Sequence, residues 1–175
     1  CQAVTKPHLS FVLFDDLGSD DFYQSGDIAG AWPAPSKLAE SSCVSVAHYY
    51  TQPVCTPTRG AFMTGRYPST HGLRYNGCVL PANTNCFTDV LAAAGYRTAS
   101  IGKSHLQPFT GLPPMGRDPA LADVSEEAWS PDEGDYGEEE ADRYSADGRY
   151  EITTPYYGYQ HVDMVTEHGD RCGGH

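Results

Sequence analysis

The run HLSFVLFDDLG, His8 to Gly18, constrains the fold more than any other stretch of the chain. It is apolar, β-branched and aromatic, and it ends abruptly in two aspartates and a glycine. A short apolar run bounded in this way reads as a buried strand of a parallel sheet. Polar residues at the carboxyl end of such a strand lie where open α/β sheets hold their ligands.

The rest of the first hundred residues continues the rhythm. SKLAESS suggests a short helix, and CVSVAHYY (Cys43 to Tyr50) alternates like a strand. TNCFTDVLAAAGY reads as a helix with Thr84 or Asn85 as its cap and Gly95 as its stop. RTASIGKSH then reads as a strand that leads into a loop. Strand, helix, strand, helix, strand is the order of a doubly wound α/β domain. From Gly116 to Tyr150 the character changes, because this stretch holds 12 of the 23 acidic residues and little apolar periodicity. It contains no D-x-[DN]-x-[DN]-G calcium loop, so it is expected to be a solvated, mobile insertion. EITTPYYGYQHVDMV resumes a foldable pattern, with a short strand expected at Tyr159 to Val165.

Charge and cysteine usage narrow the function classes. A net charge of −12 argues against a nucleic-acid backbone or an anionic membrane surface as partner. An anionic small substrate is compatible with it, since a site can be locally positive. No apolar run is long enough to cross a bilayer. The six cysteines form no C-x-x-C pair, which disfavours a structural zinc site and leaves disulfide pairing open. The chain begins at Cys1 and stops at HGDRCGGH, and it is expected to be a piece of a longer protein.

Two features could carry chemistry. Adjacent Asp15 and Asp16 repel each other at a strand end, and a divalent cation bound through oxygen relieves that; a solvated turn is the alternative. Cys55 stands in TQPVCTPTRGAFMT, where Thr56 can cap a helix and Pro57 suits its first turn. Cys55 would then lie just before the helix, where amide donors favour an anion, with Arg59 facing the same spot. Spacing alone leaves a reactive thiolate and a buried structural cysteine equally open.

CTPTRGAFMTGRYPSTHG resembles the signature of type I sulfatases, C-x-P-S/x-R followed by T-G-R-Y-P-x-x-H-G. Thr58 stands where serine is commonest. FVLFDDLG resembles the family's first metal-binding strand, LRYNG its Asn-Gly segment, and GYRTASIGKSHL its G-K-x-H-L motif. The four motifs follow in order between Pro7 and Leu106. The resemblance implies a largely parallel mixed α/β sheet of the alkaline-phosphatase type, here incomplete, with residues 1–175 as the N-terminal part of a catalytic domain.

The resemblance also implies a chemistry. A formylglycine-generating enzyme would read Cys55, Pro57 and Arg59 and convert Cys55 to Cα-formylglycine. One oxygen of its hydrate would attack the sulfur of a sulfate ester, and the other would later expel sulfate. Asp15, Asp16 and the modified Cys55 would bind one Ca²⁺ (or Mg²⁺). Arg59 would hold the diol, Lys103 would contact the sulfate, and His105 would hydrogen-bond the formylglycine and help move its proton. Asn76 would contact the sulfate or the metal shell, as in some branches of the superfamily. His71, in the Y-P-x-x-H-G turn, is expected to be structural.

Family members draw further metal ligands, a Lys and a His from later segments, so these 175 residues are expected to be inactive alone and to need the remaining C-terminal half. A secreted, periplasmic or lumenal location is favoured over the cytoplasm. A phosphonate monoester or phosphodiester hydrolase of the same superfamily is the nearest alternative, although GKSHL favours the sulfatase. A non-catalytic sulfatase-like binding domain is the second, against which the intact motif residues count.

Overall fold

The computed structural model describes residues 6–15, 51–109, 136–144, 150–166 and 171–173. The chain divides into two compact units, Cys1–Tyr49 and Tyr50–His175. Of the first unit only residues 6–15 are described; they form no strand, and all ten are exposed. This corrects the expectation of a buried strand for residues 8–15. A run apolar on both faces is stable as a strand only with ladders on its edges and cover on its faces, and Phe11, Val12 and Phe14 are exposed. Residues 16–18, SKLAESS and CVSVAHYY lie outside the described residues.

The second unit is an α/β arrangement. Helix α1 (Cys55–Thr64) leads through a turn at Gly65 to the single helical turn α2 (Pro68–His71), and helix α3 (Phe87–Ala93) follows. Strands β1 (Ala99–Gly102), β2 (His161–Thr166) and β3 (Arg171–Gly173) form one mixed sheet in the order β1-β2-β3. β1 pairs parallel to β2 with Ala99 opposite His161, and β2 pairs antiparallel to β3 with Met164 opposite Gly173. β2 is the central strand, and its alternate residues Val162, Met164 and Thr166 are buried, as a period of two requires. The expected strand at Tyr159 to Val165 is thus shifted by two residues at its start.

The caps differ from the sequence expectation. The N-cap of α3 is Cys86, neither Thr84 nor Asn85, and Asp89 accepts from the Cys86 N–H at 2.8 Å in a capping box. Cys86 occupies this place because its extended backbone turns a small buried side chain inward; burial pushes its thiol up to about 12. α1 starts two residues earlier than a Thr56 cap would place it. Cys55 is its first helical residue, and Val54 is the N-cap without a side-chain hydrogen bond.

A hydrophobic core of Met63, Leu73, Leu80, Leu106, Tyr144, Ile152, Tyr156, Tyr157, Val162 and Met164 joins α1, the loop after β1, the segment 136–144 and β2. Gly158 meets α3 closely enough that a Cβ there would lie 2.5 Å from the Asp89 nitrogen, and its φ of +78° is in the left-handed region. The solvated reading of residues 116–150 does not hold for 136–144. Gly137, Glu139, Ala141 and Tyr144 are buried there, and Ala141–Arg143 form a 3-10 turn. The remainder of that stretch, except Tyr150, lies outside the described residues.

Candidate active site

The site is built on the first turns of α1. Pro57, third in the helix, gives up an N–H that no helical carbonyl could have accepted. The Thr56 N–H is met from elsewhere: Asn76, twenty residues on, accepts it through Oδ1 at 3.1 Å. Thr56 itself is no cap, since its hydroxyl is fully buried and has no hydrogen-bond partner. Asn76 therefore stands beside Cys55 as the residue that closes the helix start. Cys55 is half-buried, and Cys78 and Cys86 are buried thiols.

Arg59 follows Cys55 by one turn, on the same face of α1. It is 8% exposed, and its Nη1 donates to the backbone carbonyl of Lys103 at 2.6 Å. This charge-assisted bond joins the C-x-P-x-R helix to the G-K-x-H loop. The Lys103 ammonium lies 5.5 Å from the ring centroid of Phe109, and the His105 imidazole stacks on the same ring at 3.9 Å. Phe109 thus carries both side chains, a cation on its face and a ring in parallel contact. No motif marked it.

His105 has φ +55°, which costs a non-glycine residue about 1–3 kcal/mol. Three successive N–H groups converge at this bend, those of His105, Leu106 and Gln107, and they form an anion-binding concavity. Glu139 fills it. Its Oε2 accepts from the His105 N–H at 2.7 Å, and its Oε1 accepts from Leu106 at 2.8 Å and Gln107 at 3.1 Å. The Tyr156 hydroxyl donates to Oε1 at 2.5 Å and takes a hydrogen bond from Ser104 in turn.

Four donors thus converge on this one carboxyl group and hold the bend in its left-handed conformation. Burial still acts against the ionised form, and it pushes the Glu139 carboxyl up to about 7 against the pull of these donors. From the other side, Leu80 donates its N–H to the Leu106 carbonyl at 2.9 Å. Within its acidic run nothing distinguishes Glu139 from Glu138 or Glu140, so sequence reasoning could not single it out.

His71 has the structural role expected. It is buried at the end of α2, and the Leu73 N–H donates to its Nδ1 at 3.2 Å, which places the ring proton on Nε2. Burial holds its pKa below the ordinary histidine value. The ring packs on α1 at Gly60, where a Cβ would lie 3.0 Å from His71 Cε1.

The structure therefore brings Arg59, Lys103 and His105 together, and Asn76 to the start of the helix that carries Cys55. Asp15 is exposed in the other unit, and Asp16 lies outside the described residues. Among the described residues no three His, Cys, Asp or Glu side chains group as a cation site. No helix among them is long and apolar enough to cross a membrane.

Known proteins resemble this chain in sequence. The chain is 37% identical over 110 residues to arylsulfatase J of Mus musculus, covering 58% of this chain and 18% of that protein. It is 34% identical over 102 residues to the ulvan-active sulfatase of Formosa agariphila (58% and 20%), and 35% identical over 115 residues to the steryl-sulfatase of Homo sapiens (59% and 20%). The chain spans about a fifth of the length of the curated relatives it matches. The sulfatase family profile matches residues 7–163, the range that holds the cysteine helix, the Asn-Gly turn, the G-K-x-H loop and its Glu139 support. The chain belongs to the sulfatase family.

Proposed function

We propose that this chain is the N-terminal portion of a sulfuric ester hydrolase that cleaves a sulfate monoester at Cys55. The reading is carried by the hydrogen bond from Arg59 to the Lys103 carbonyl, which unites two motifs 44 residues apart into one cationic corner beside Cys55.

Charge develops on the transferred group and the leaving oxygen when a sulfate ester is cleaved, and fixed cations aimed there are the expected catalysts. Lys103 supplies an ammonium to the sulfate oxygens, and its place on Phe109 limits its freedom before substrate arrives. Arg59, committed to the loop through one nitrogen, neutralises charge near residue 55 with the rest of its guanidinium. His105, stacked and buried, exchanges a proton with the group at residue 55. Asn76 spends its carbonyl on Thr56, which leaves its amide nitrogen to donate to sulfate.

Converted to Cα-formylglycine, Cys55 would supply as its hydrate a nucleophilic oxygen and a route for releasing sulfate without a second attack by water. Asp15 and Asp16 are hard oxygen donors of the kind Ca²⁺ or Mg²⁺ takes, and such an ion would add Lewis-acid charge against the sulfate oxygens. Partners in this reading are a sulfate ester, a formylglycine-generating enzyme and the C-terminal half of the catalytic domain, in a secreted, periplasmic or lumenal setting. Residues 116–135 remain assigned to the acidic insertion.

Mass spectrometry of the tryptic peptide Leu38–Arg59, from protein produced with the modifying enzyme, tests the reading. An aldehyde in place of the Cys55 sulfur is expected. An unmodified thiol in fully processed protein would sink the mechanism. Paired kinetics on a sulfate and a phosphonate ester, with the full-length protein, are expected to favour the sulfate.

A further inference from the structure

The G-K-x-H loop presents an unusual arrangement, because its two side chains face Phe109 while its main chain is gripped from beneath by a residue far along the sequence. Glu139 is completely buried, and both its oxygens are engaged by the loop, Oε2 by His105 and Oε1 by Leu106 and Gln107. It is held in turn. Tyr156 donates to it, and the adjoining Glu138 N–H donates to Gln107 Oε1 at 3.0 Å, so the two segments are stitched in both directions. The grip coincides with the one residue of the loop whose backbone is left-handed without being glycine, His105. A left-handed histidine returns to an ordinary conformation when nothing converges its neighbouring amides. Its side chain would then leave the face of Phe109.

We infer that Glu139 is a positioning residue for the sulfatase reaction: its carboxylate gathers the His105, Leu106 and Gln107 amides and thereby aims His105 and Lys103 at the substrate. The inference rests on the functional reading above. Glu139 touches neither substrate nor reacting atoms in this role. It acts only through the loop backbone.

The test uses the full-length protein with Cys55 converted, comparing wild type, Glu139→Gln and Glu139→Ala. Glutamine keeps the volume but turns an NH₂ toward N–H donors. Alanine leaves an anion-sized space lined by the same three amides. With 4-nitrophenyl sulfate, both variants are expected to lose about 10- to 100-fold in kcat, as small displacements of catalytic groups do. KM should rise by less than kcat falls, because Lys103 also contacts the sulfate of the bound ester while most of what is lost acts in the transition state. Sodium formate should restore part of kcat in Glu139→Ala, and sodium chloride at equal ionic strength should not.

Hydrogen exchange read by mass spectrometry should show faster exchange at residues 103–107 in both variants, with α1 unchanged. A residue needed only for folding would lower the yield of folded protein without changing kcat per formylglycine. Unchanged kcat in Glu139→Gln overturns the inference, and so does lost kcat with unchanged loop exchange. If the alanine variant does not fold, the glutamine variant decides alone. Wild type that releases no sulfate from aryl, steroid or polysaccharide esters overturns the functional reading, and the inference about the reaction with it. Loop exchange would then still report whether the clamp exists.

Discussion

Gly60→Ala sets two magnitudes against each other. Glycine inside a helix is about 0.8–1.0 kcal/mol worse than alanine, so an exposed site would gain stability from the change. Gly60 is the sixth residue of α1, and the methyl would lie 3.0 Å from His71 Cε1, 3.1 Å from Leu73 Cδ2 and 3.2 Å from His71 Nδ1. Neither neighbour gives way cheaply. Leu73 is fully buried, and moving His71 stretches the hydrogen bond from the Leu73 N–H. Overpacking of this kind costs about 1–3 kcal/mol, so the net expectation is a loss of about 1 kcal/mol.

Urea unfolding of the two proteins, with the midpoint shift converted at constant m, measures it. On a His71→Ala background two of the three contacts vanish, and the same substitution should become neutral or stabilising. A gain of about 1 kcal/mol in the otherwise wild-type protein would refute the packing argument, because it would mean that α1 does not rest on His71 as described.

Asn76→Ala should cost about 1 kcal/mol through loss of the cap, whereas Asn76→Asp should keep thermal stability close to wild type by retaining an acceptor for Thr56. Gly158→Ala combines a φ of +78° with a Cβ 2.5 Å from the Asp89 nitrogen, and it should appear as loss of soluble protein or a large drop in melting temperature. Arg59→Lys replaces a directed guanidinium bond with a shorter ammonium and strands the Lys103 carbonyl; a loss of about 1–3 kcal/mol is expected, with a larger fall in kcat than in stability would explain.

Glu139 has a folded pKa of about 7 against an ordinary 4.5, so the folded state binds the proton more tightly. Its contribution to stability is fully present below pH 4.5 and is lost as pH rises through about 7. The slope is at most about 1.4 kcal/mol per pH unit. Denaturant midpoints across that window should show it in wild type and lack it in Glu139→Gln.

Local pattern was enough for part of this molecule. The helix start at Cys55–Thr64, the helix and glycine stop at Phe87–Gly95, and the strand before GKSHL each follow from residue chemistry within a few positions. Caps were less legible. Thr56 has the right side chain for one, yet the donor beside it is satisfied by Asn76, and no local rule anticipates a partner twenty residues away. The exposed Phe11–Phe14 run marks the opposite failure, because its composition promised burial that only neighbouring strands could provide.

The sequence by itself determined which groups are candidates for chemistry: a cysteine with Pro57 and Arg59 at fixed spacing, a lysine and histidine two residues apart, and an acidic pair. Identity and order suffice for that, because modification and ligation depend on residue type and near neighbours. Tertiary structure decided how those groups are held. Arg59 reaches the Lys103 backbone, Phe109 carries Lys103 and His105, and Glu139 grips the left-handed bend beneath them. A buried carboxylate looks like any other acid in a run of acids until the fold removes its water and surrounds it with donors. Desolvation and converging amides are properties of packed space, which is why they could be read only from the folded chain.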